Sequence, residues 1–345
     1  MSISNYNSPF IERVFAVNQG STQASILVGP ALTSAALLRI PPNGIKLTPA
    51  MPITPVPWKT GTRSMQPGIS GRQSATWELS NMPVIPSGAA GTAPDADPVY
   101  AGIFNSAGAI VDSTSVTYSF SDTGVSPFAL ASFFHGVSTL TKRLIYGCCA
   151  EQVDWQLNGN VFTQTIRGSG VYRLDNDNFA SEATAQKGGY GSFPAEPSSP
   201  STTGAIIPGF GGIATIDGAD MALQLRSCTI SLKTGNRLVG DLFGSALPQF
   251  QVGGQREVTI SLGFVDNDGT ALIAIKNLAK QYGTTNITIT VGTVAGSQAV
   301  FTLKSVQLAV PDMSDETDFV TTSFAASAAH ASAIANTDDM TLAFT

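Results

Sequence analysis

Residues 142–170, KRLIYGCCAEQVDWQLNGNVFTQTIRGSG, contain two runs in which apolar and polar residues alternate. The apolar positions that share one face of these runs are Val153, Trp155, Leu157, Phe162 and Ile166. Alternation with a period of two is typical of a strand with one buried face. Because Asn158 and Gly159 lie between the runs, and Asn-Gly is a strong signal for a tight turn, the stretch predicts a long β-hairpin.

A second stretch, residues 299–327, AVFTLKSVQLAVPDMSDETDFVTTSFAAS, has a similar arrangement. Phe162–Ile166 in the first hairpin aligns with Val320–Phe324 in the second. In each half, a strand led by Arg72 or Arg256 comes first, and a short helix, another strand and the long hairpin follow. Since identities are few, the order of elements favours a duplicated module, and chance similarity between two β-rich halves is the alternative.

Two segments carry helix signals. Asp95–Phe104 begins with acidic residues and a proline, both of which favour a helix N-terminus. Thr270–Tyr282 places Leu272 and Ile275 on one apolar stripe, and a glycine follows it. We therefore expect each β module to have one short flanking helix.

These patterns predict a mainly β fold built from two tandem β-sandwich modules. The expected domains are an N-terminal arm and irregular segment at residues 1–60, a first β module at 61–175, a Gly/Pro/Ser-rich linker or long loop at 176–213, and a second β module at 214–345. The residues expected in the core are Trp77, Val153, Trp155, Leu157, Phe162, Ile166, Ile230, Leu232, Leu272, Ile275 and Phe324.

The composition limits the classes of function. Of 345 residues only 12% are charged, against about 25% in an average soluble domain, and the net charge is -6. Such a neutral, polar surface is often covered by copies of the same protein or by partners, and a secreted β protein is the alternative. Because no Lys/Arg-rich run exists, a sequence-specific nucleic-acid binder is disfavoured.

Cysteine usage and the N-terminus indicate where the protein is made. Cys148 and Cys149 are adjacent and Cys228 is distant, so they form neither a disulfide framework nor a CxxC metal pair, and free buried thiols are expected. The N-terminus has no charged and apolar pattern of a signal peptide, and no run approaches the roughly 20 apolar residues of a membrane span. We expect a soluble protein made in a cytoplasm.

A search for catalytic chemistry finds little. His135 and His330 lie outside metal-binding spacings, and neither a GxSxG elbow nor a GxGxxG nucleotide loop is present. Two acidic segments resemble calcium loops, but Asx-rich turns are the favoured interpretation: Asp175, Asp177 and Glu182, and Asp266 and Asp268. A third acidic cluster is interpreted as a solvated loop tip: Asp312, Asp315, Glu316 and Asp318. The sequence thus predicts no catalytic, metal or cofactor site.

With these motifs in view, the chain resembles the tail tube proteins of long-tailed (siphovirus-like) bacteriophages. The likeness lies in GRQSATWEL, SGAAGTAPDADPVYAGIF, STSVTYSFSD and the first hairpin, and in GNRLVGDLFGSALPQFQVGGQREVTISLGF and the second hairpin. The resemblance covers most of residues 60–345. It implies tail-tube-like modules, each a β-sandwich flanked by a helix, whose inner sheets join into a β-barrel ring.

The resemblance also implies a function and partners. Rings of such proteins stack into a tube through which the genome passes during ejection, and other tail proteins bind the tube ends. If each half is one module, three chains would give a ring of six modules; otherwise six chains are expected. The protein would belong to the virion tail, assemble in the bacterial host cytoplasm, and let DNA pass without specific binding.

The polar faces of the hairpins are the candidates for residues that line the lumen. They are Asp154, Gln156, Thr163, Thr165, Thr302, Lys304, Thr321 and Ser323. Residues 19–57 and 176–208 are candidates for contacts between rings. The alternatives are a phage receptor-binding or decoration module, a distal tail or terminator protein that forms a single ring, and a β-sandwich hydrolase, whose carboxylates would follow no spacing rule.

Overall fold

The computed structural model describes residues 12–38, 44–55, 68–135, 140–157, 161–198, 204–266, 269–315, 319–333 and 337–345. It confirms a mainly β protein with a large antiparallel sheet and two helices. The helices are α1 (Asp97–Phe104) and α2 (Thr270–Lys280), which lie in the two segments that predicted helices.

The strands of the described residues are numbered in chain order. They are β1 (Glu12–Asn18), β2 (Ala36–Leu38), β3 (Ile45–Ala50), β4 (Ile53–Thr54), β5 (Ile69–Ser70), β6 (Ser74–Pro83), β7 (Ala109–Val111), β8 (Ser115–Ser119), β9 (Phe128–His135), β10 (Leu140–Gln156), β11 (Thr163–Gly170), β12 (Tyr172–Asp175), β13 (Gly212–Ile216), β14 (Ala219–Asp220), β15 (Leu225–Lys233), β16 (Arg237–Val239), β17 (Phe250–Val252), β18 (Glu257–Val265), β19 (Thr284–Val291), β20 (Ala299–Gln307), β21 (Asp312–Asp315), β22 (Val320–Ala329) and β23 (Met340–Phe344).

Eight of these strands form one continuous antiparallel row, in the order β3, β6, β11, β10, β15, β18, β22 and β21. The first four strands come from the N-terminal half and the last four from the C-terminal half. The two halves meet where β10 pairs with β15, with Trp155 opposite Ile230. The row therefore crosses the boundary between the two predicted modules without a break.

Further strands pack on the apolar side of the row. β10 is long enough to leave the row at a bend, where Gly147 has a φ of +63°. Before that bend, β10 pairs with β9 and β12, and β1 and β2 extend the pairing beyond β9. In the C-terminal half, β20 pairs with β19 and β23 and bends at Ser305, which has a φ of +43°. Each long hairpin thus passes from one layer to the other.

The two halves pair their strands in the same order. In the N-terminal half, β6 pairs with β11, β11 with β10, and β10 with β9 and β12. In the C-terminal half, β18 pairs with β22, β22 with β21 and β20, and β20 with β19 and β23. A helix follows β6 in the first half and β18 in the second.

One apolar cluster runs through both halves. All eleven residues expected in the core are buried, with side chains between 0% and 8% exposed. Trp155, on the row, meets Phe301, on β20, edge to face with ring centroids 5.3 Å apart. This contact joins the two layers and the two halves at one point.

A buried polar group is satisfied inside this cluster. The Gln164 side chain accepts a hydrogen bond from the Trp155 indole N–H at 3.0 Å, and its amide nitrogen donates to the Tyr100 hydroxyl at 2.9 Å. Leaving a polar group unpaired in a core is costly, so the structure is most stable when Gln164 keeps both partners. Since Tyr100 lies on α1, its bond to Gln164 holds this helix over the row.

The N-terminal region differs from the arm and irregular segment that the sequence predicts at residues 1–60. β1 pairs with β9 along its whole length, and β3 pairs with β6 from Ile45 to Ala50. β3 tolerates Pro49 because it lies at the end of the row, where one side of the strand has no described partner. The Asn158-Gly159 turn, Glu316 and Asp318 lie outside the described residues.

The segment after β12 packs on the N-terminal half instead of standing away from it. Phe179 and Phe193 contact each other edge to face, and Tyr190 packs beside them against a second apolar cluster that contains Phe15 and Tyr146. The Tyr190 hydroxyl donates to the Pro30 carbonyl at 2.6 Å. The aromatic residues of this Gly/Pro-rich segment therefore attach it to β1, β9 and β10.

The thiols provide a test of the fold. Cys148, Cys149 and Cys228 are buried, and burial raises the pKa of each thiol. Because the thiolate is the reactive form, we expect no reaction with a thiol reagent at about pH 8 in the folded protein and full reaction after unfolding. A titration with and without denaturant measures this. Rapid reaction of any native thiol would contradict the burial.

Candidate assembly surface

The row of eight strands has one apolar face in the core and one polar face toward solvent. Direct partners in an antiparallel pair point to the same side, so the pairings identify the side chains on the polar face. Two sets of direct partners run across β11, β10, β15 and β18, in that order. The first set is Thr165, Asp154, Ser231 and Thr259, and the second set is Thr163, Gln156, Thr229 and Ser261. The face is continuous from the N-terminal half into the C-terminal half.

The cations on this face lie opposite or close to carboxylates. Lys46 lies opposite Glu78, and Lys233 opposite Glu257, with its Nζ 2.8 Å from the Glu257 carboxylate. Arg167 lies 3.5 Å from the Asp154 carboxylate. Since these groups are partly or largely exposed, each pair contributes little to stability. Their effect is to leave the face polar with its cations matched by carboxylates.

The structure brings six of the eight candidate lumen residues to this face. Asp154, Gln156, Thr163 and Thr165 lie on β10 and β11, and Thr321 and Ser323 lie on β22. Thr302 and Lys304 are not part of it. They lie on β20 before the bend at Ser305, in the layer that pairs with β19 and β23. The alternation of polar and apolar residues does not reveal a bend within a hairpin, so the sequence placed Thr302 and Lys304 on the wrong layer.

The junction between β10 and β15 is closely bonded. Five consecutive pairs connect the strands, from Gln152 opposite Lys233 to Gln156 opposite Thr229. On the polar face the Ser231 hydroxyl donates to the Asp154 carboxylate at 2.5 Å. On the other face Trp155 and Ile230 are fully buried. This junction therefore combines backbone pairing, an apolar contact and a polar contact.

The outer strands of the row are β3 and β21. Within the described residues, β3 pairs with β6 alone and β21 with β22 alone. All four residues of β21 are exposed, and Met313 is 59% exposed. At β3, Arg173 donates to the Leu47 carbonyl at 2.7 Å. Strands at the edge of a sheet offer unpaired N–H and C=O groups to another chain.

Sequence reasoning did not find β3. Its signal is present, because Ile45 and Leu47 alternate with Lys46 and Thr48 in IKLTPA. Six prolines at residues 41–57 instead predict an irregular segment there. Lys46 and Thr48 extend the polar face to the outer strand.

Polar contacts account for Asp266 near α2, whereas Asp268 lies outside the described residues. The Asp266 carboxylate accepts hydrogen bonds from Lys276 at 2.5 Å and from Thr322 at 2.9 Å. The Lys276 hydrogen bond lowers the pKa of Asp266. Within the described residues, no group of three or more His, Cys, Asp or Glu side chains is placed to hold a metal ion.

Membrane and family comparisons add two findings. In the part of the chain that the structure describes, no helix is long and apolar enough to cross a bilayer. Neither the protein-family models nor the curated proteins contain a match to this chain.

Proposed function

We propose that this protein is a structural subunit of a bacteriophage tail tube, without catalytic activity. Copies would join side by side into a β-barrel ring, and rings would stack into the conduit through which DNA leaves the virion. The observation that supports this most is the row of eight strands. The row contains two sets of four strands, joined within one chain where β10 pairs with β15. It ends at β21 and β3, which are open edges that resemble β10 and β15 in their position within each set.

The repeated strand order supports two tandem tail-tube-like modules. Ile166 pairs with Leu79 in the first half, and Phe324 with Leu262 in the second. Counting from these equivalent pairs, β3 corresponds to β15, and β21 corresponds to the part of β10 that lies in the row. The β10–β15 junction is then a template for a contact between β21 of one copy and β3 of the next.

The template gives a register for that contact. Asp312 lies opposite Ser323 as Asp154 lies opposite Thr165. Thr48 lies opposite Thr76 as Ser231 lies opposite Thr259. Since Asp154 and Ser231 pair directly, Asp312 should pair with Thr48 of the neighbouring copy.

The same register gives a partner to Met313, the exposed apolar residue of β21. Met313 takes the position of Trp155 and would lie opposite Leu47 of the neighbouring copy, as Trp155 lies opposite Ile230. A ring closed in this way covers Met313 and removes both open edges. β21 and the next β3 would run antiparallel, as β10 and β15 do.

Ring size follows from the number of modules. Because both partners use different edges, the contact is head to tail, and such contacts form closed rings when the rotation allows. The resemblance implies six modules in a ring, which is three copies of this chain. The Arg173 contact with the Leu47 carbonyl would open as the neighbouring strand arrives.

The polar face would line the lumen of the ring. The six candidate residues on it, Asp154, Gln156, Thr163, Thr165, Thr321 and Ser323, are neutral or paired. A lumen whose cations are matched by carboxylates does not attract the DNA backbone strongly, which suits passage without binding. The protein would act in the virion tail after assembly in the host cytoplasm, with other tail proteins at the tube ends.

Negative-stain electron microscopy over a concentration series tests the proposal. We expect stacked rings or tubes with a central hole and three copies in each ring. Single rings at every concentration would favour a distal tail or terminator protein. Monomers at all concentrations, together with binding to a cell-surface or capsid ligand, would contradict the proposal and favour the receptor-binding or decoration module.

A further inference from the structure

A cleft with both polar and apolar lining lies at one end of the row. It is lined by side chains that include Leu157, Ile213, Leu225 and Val291, and Phe210 stands at its mouth with 80% of its surface exposed. Leu223 lies in the turn between two lining residues, Ala222 and Leu225, and is fully exposed, at 104%. Exposed large apolar side chains beside a cleft are typical of an interaction surface.

A second apolar feature projects from the chain elsewhere. Residues 240–249 form a loop between β16 and β17 that carries Leu242 and Phe243. Phe243 is fully exposed, at 105%, and the next residue, Gly244, has a φ of +91°, which places the phenylalanine at a sharp turn. The base of the loop is fixed, because the Gln73 amide donates to the Ala246 carbonyl at 2.8 Å and Leu247 is buried.

The two features lie at opposite ends of the strands. The cleft includes Leu157 and Leu225, at the end of the row where β10 finishes and β15 begins. The Phe243 loop belongs to the segment between Lys233 and Glu257, at the other end, and it bonds to the residue before β6. A strand of ten residues such as β6 spans about 30 Å, so one copy cannot bring loop and cleft together.

Charges near the two features are complementary. Asp241 is exposed beside Leu242 and Phe243. Arg226 lines the cleft and lies over the Phe319 ring, with its guanidinium carbon 4.9 Å from the ring centre. A loop entering the cleft would bring a carboxylate toward this guanidinium. Electrostatic matching of this kind orients a contact.

We propose that the Phe243 loop (residues 240–249) of one copy inserts into the cleft beside Phe210 and Leu223, the Phe210–Leu223 cleft, of a copy in the next ring. The inference rests on the proposed tube function and adds the axial contact between rings to the lateral contact between edges. The occupant of the cleft is a second copy of this chain, because the chain itself carries an apolar projection and a matching charge at the opposite end. A head-to-tail contact along the strand axis repeats without closing, which produces a polymer.

A cross-link tests the contact without requiring complete tubes. In the double variant Leu223→Cys/Phe243→Cys, mild oxidation should produce a ladder of covalent oligomers, since the three native thiols are buried. The single variants should give at most dimers. The matched control is Ile110→Cys/Phe243→Cys, because Ile110 is also an exposed apolar residue but lies on the β7–β8 hairpin. An equal ladder in the control, or none in the test variant, would overturn the inference.

Polymerisation of variants gives a second readout. Phe243→Ser should raise the concentration needed for tubes about tenfold while rings still form, and Ile110→Ser should leave it unchanged. Asp241→Lys should weaken stacking, and adding Arg226→Glu should restore it. Rings that stack normally in Phe243→Ser would overturn the axial contact alone. A covalent ladder without any ring in the microscope would retain the axial contact and overturn the proposed ring.

Discussion

Replacing Trp155 by alanine is expected to lower the free energy of unfolding by about 3–5 kcal/mol, the usual range for a buried tryptophan. Its side chain is fully buried, so the substitution leaves a cavity that the surrounding strands fill only in part. The loss extends beyond one strand, because Trp155 lies opposite Ile230 at the β10–β15 junction and against Phe301 of the other layer. Both halves should therefore unfold more easily.

Chemical denaturation followed by circular dichroism measures the effect. Trp155→Phe is the matched control, because it keeps most of the apolar volume and removes the indole N–H that Gln164 accepts. We expect this variant to lose about 1–2 kcal/mol, as for one buried hydrogen bond with a small change in packing. Equal stability of Trp155→Ala and the wild-type protein would place this side chain outside the core.

The second prediction concerns the edges of the row. In the double variant Thr48→Cys/Asp312→Cys, oxidation of the assembled protein is expected to yield covalent oligomers that end at the trimer. Direct cross-strand partners have Cβ atoms about 4.5–5.5 Å apart, close to the span of a disulfide. The expectation follows from the Asp154–Ser231 pair, which shows this register within the chain.

The control places the second cysteine one strand further from the edge. Ser323 is the direct partner of Asp312 on β22, so Thr48→Cys/Ser323→Cys adds about 4.8 Å and should cross-link poorly. Denaturing electrophoresis separates the products. A ladder that continues past the trimer would retain the edge contact and contradict a ring of three. Equal yields from test and control would contradict the register.

Neither variant should compromise the fold. Thr48 and Asp312 are exposed on the outer strands, so core packing does not depend on them. Thermal melts before oxidation check this point, because surface substitutions of this kind usually change stability by less than about 0.5 kcal/mol. Loss of folding in either variant would show that the edge strands contribute more to the isolated chain than their exposure indicates.

Local patterns were sufficient for much of the fold. Alternation at Val153, Trp155 and Leu157 predicts a strand and its buried face, since side chains of a strand point to opposite sides in turn. Periodicity of 3.6 residues at Leu272 and Ile275 predicts α2 in the same way. The helices and the mainly β class could be predicted because each depends on residues close together in the chain.

The candidate site could be predicted only in part. Six polar residues on the two hairpins share a face in the structure, and that follows from alternation. Thr302 and Lys304 do not, because the strand bends at Ser305 and carries them into the other layer. Lys46 and Thr48 were missed because prolines around β3 disfavour a central strand, whereas an outer strand tolerates them.

The sequence by itself therefore determined the strands of the two hairpins, which of their faces are apolar and which two segments form helices. Only the tertiary structure decided that β10 pairs with β15, that β3 and β21 end the row, and that the Phe243 loop and the Phe210–Leu223 cleft lie at opposite ends. The physical reason is that pairing depends on hydrogen bonds and apolar contacts between residues far apart in the chain. A period-two pattern specifies a buried face but not which strand will lie beside it.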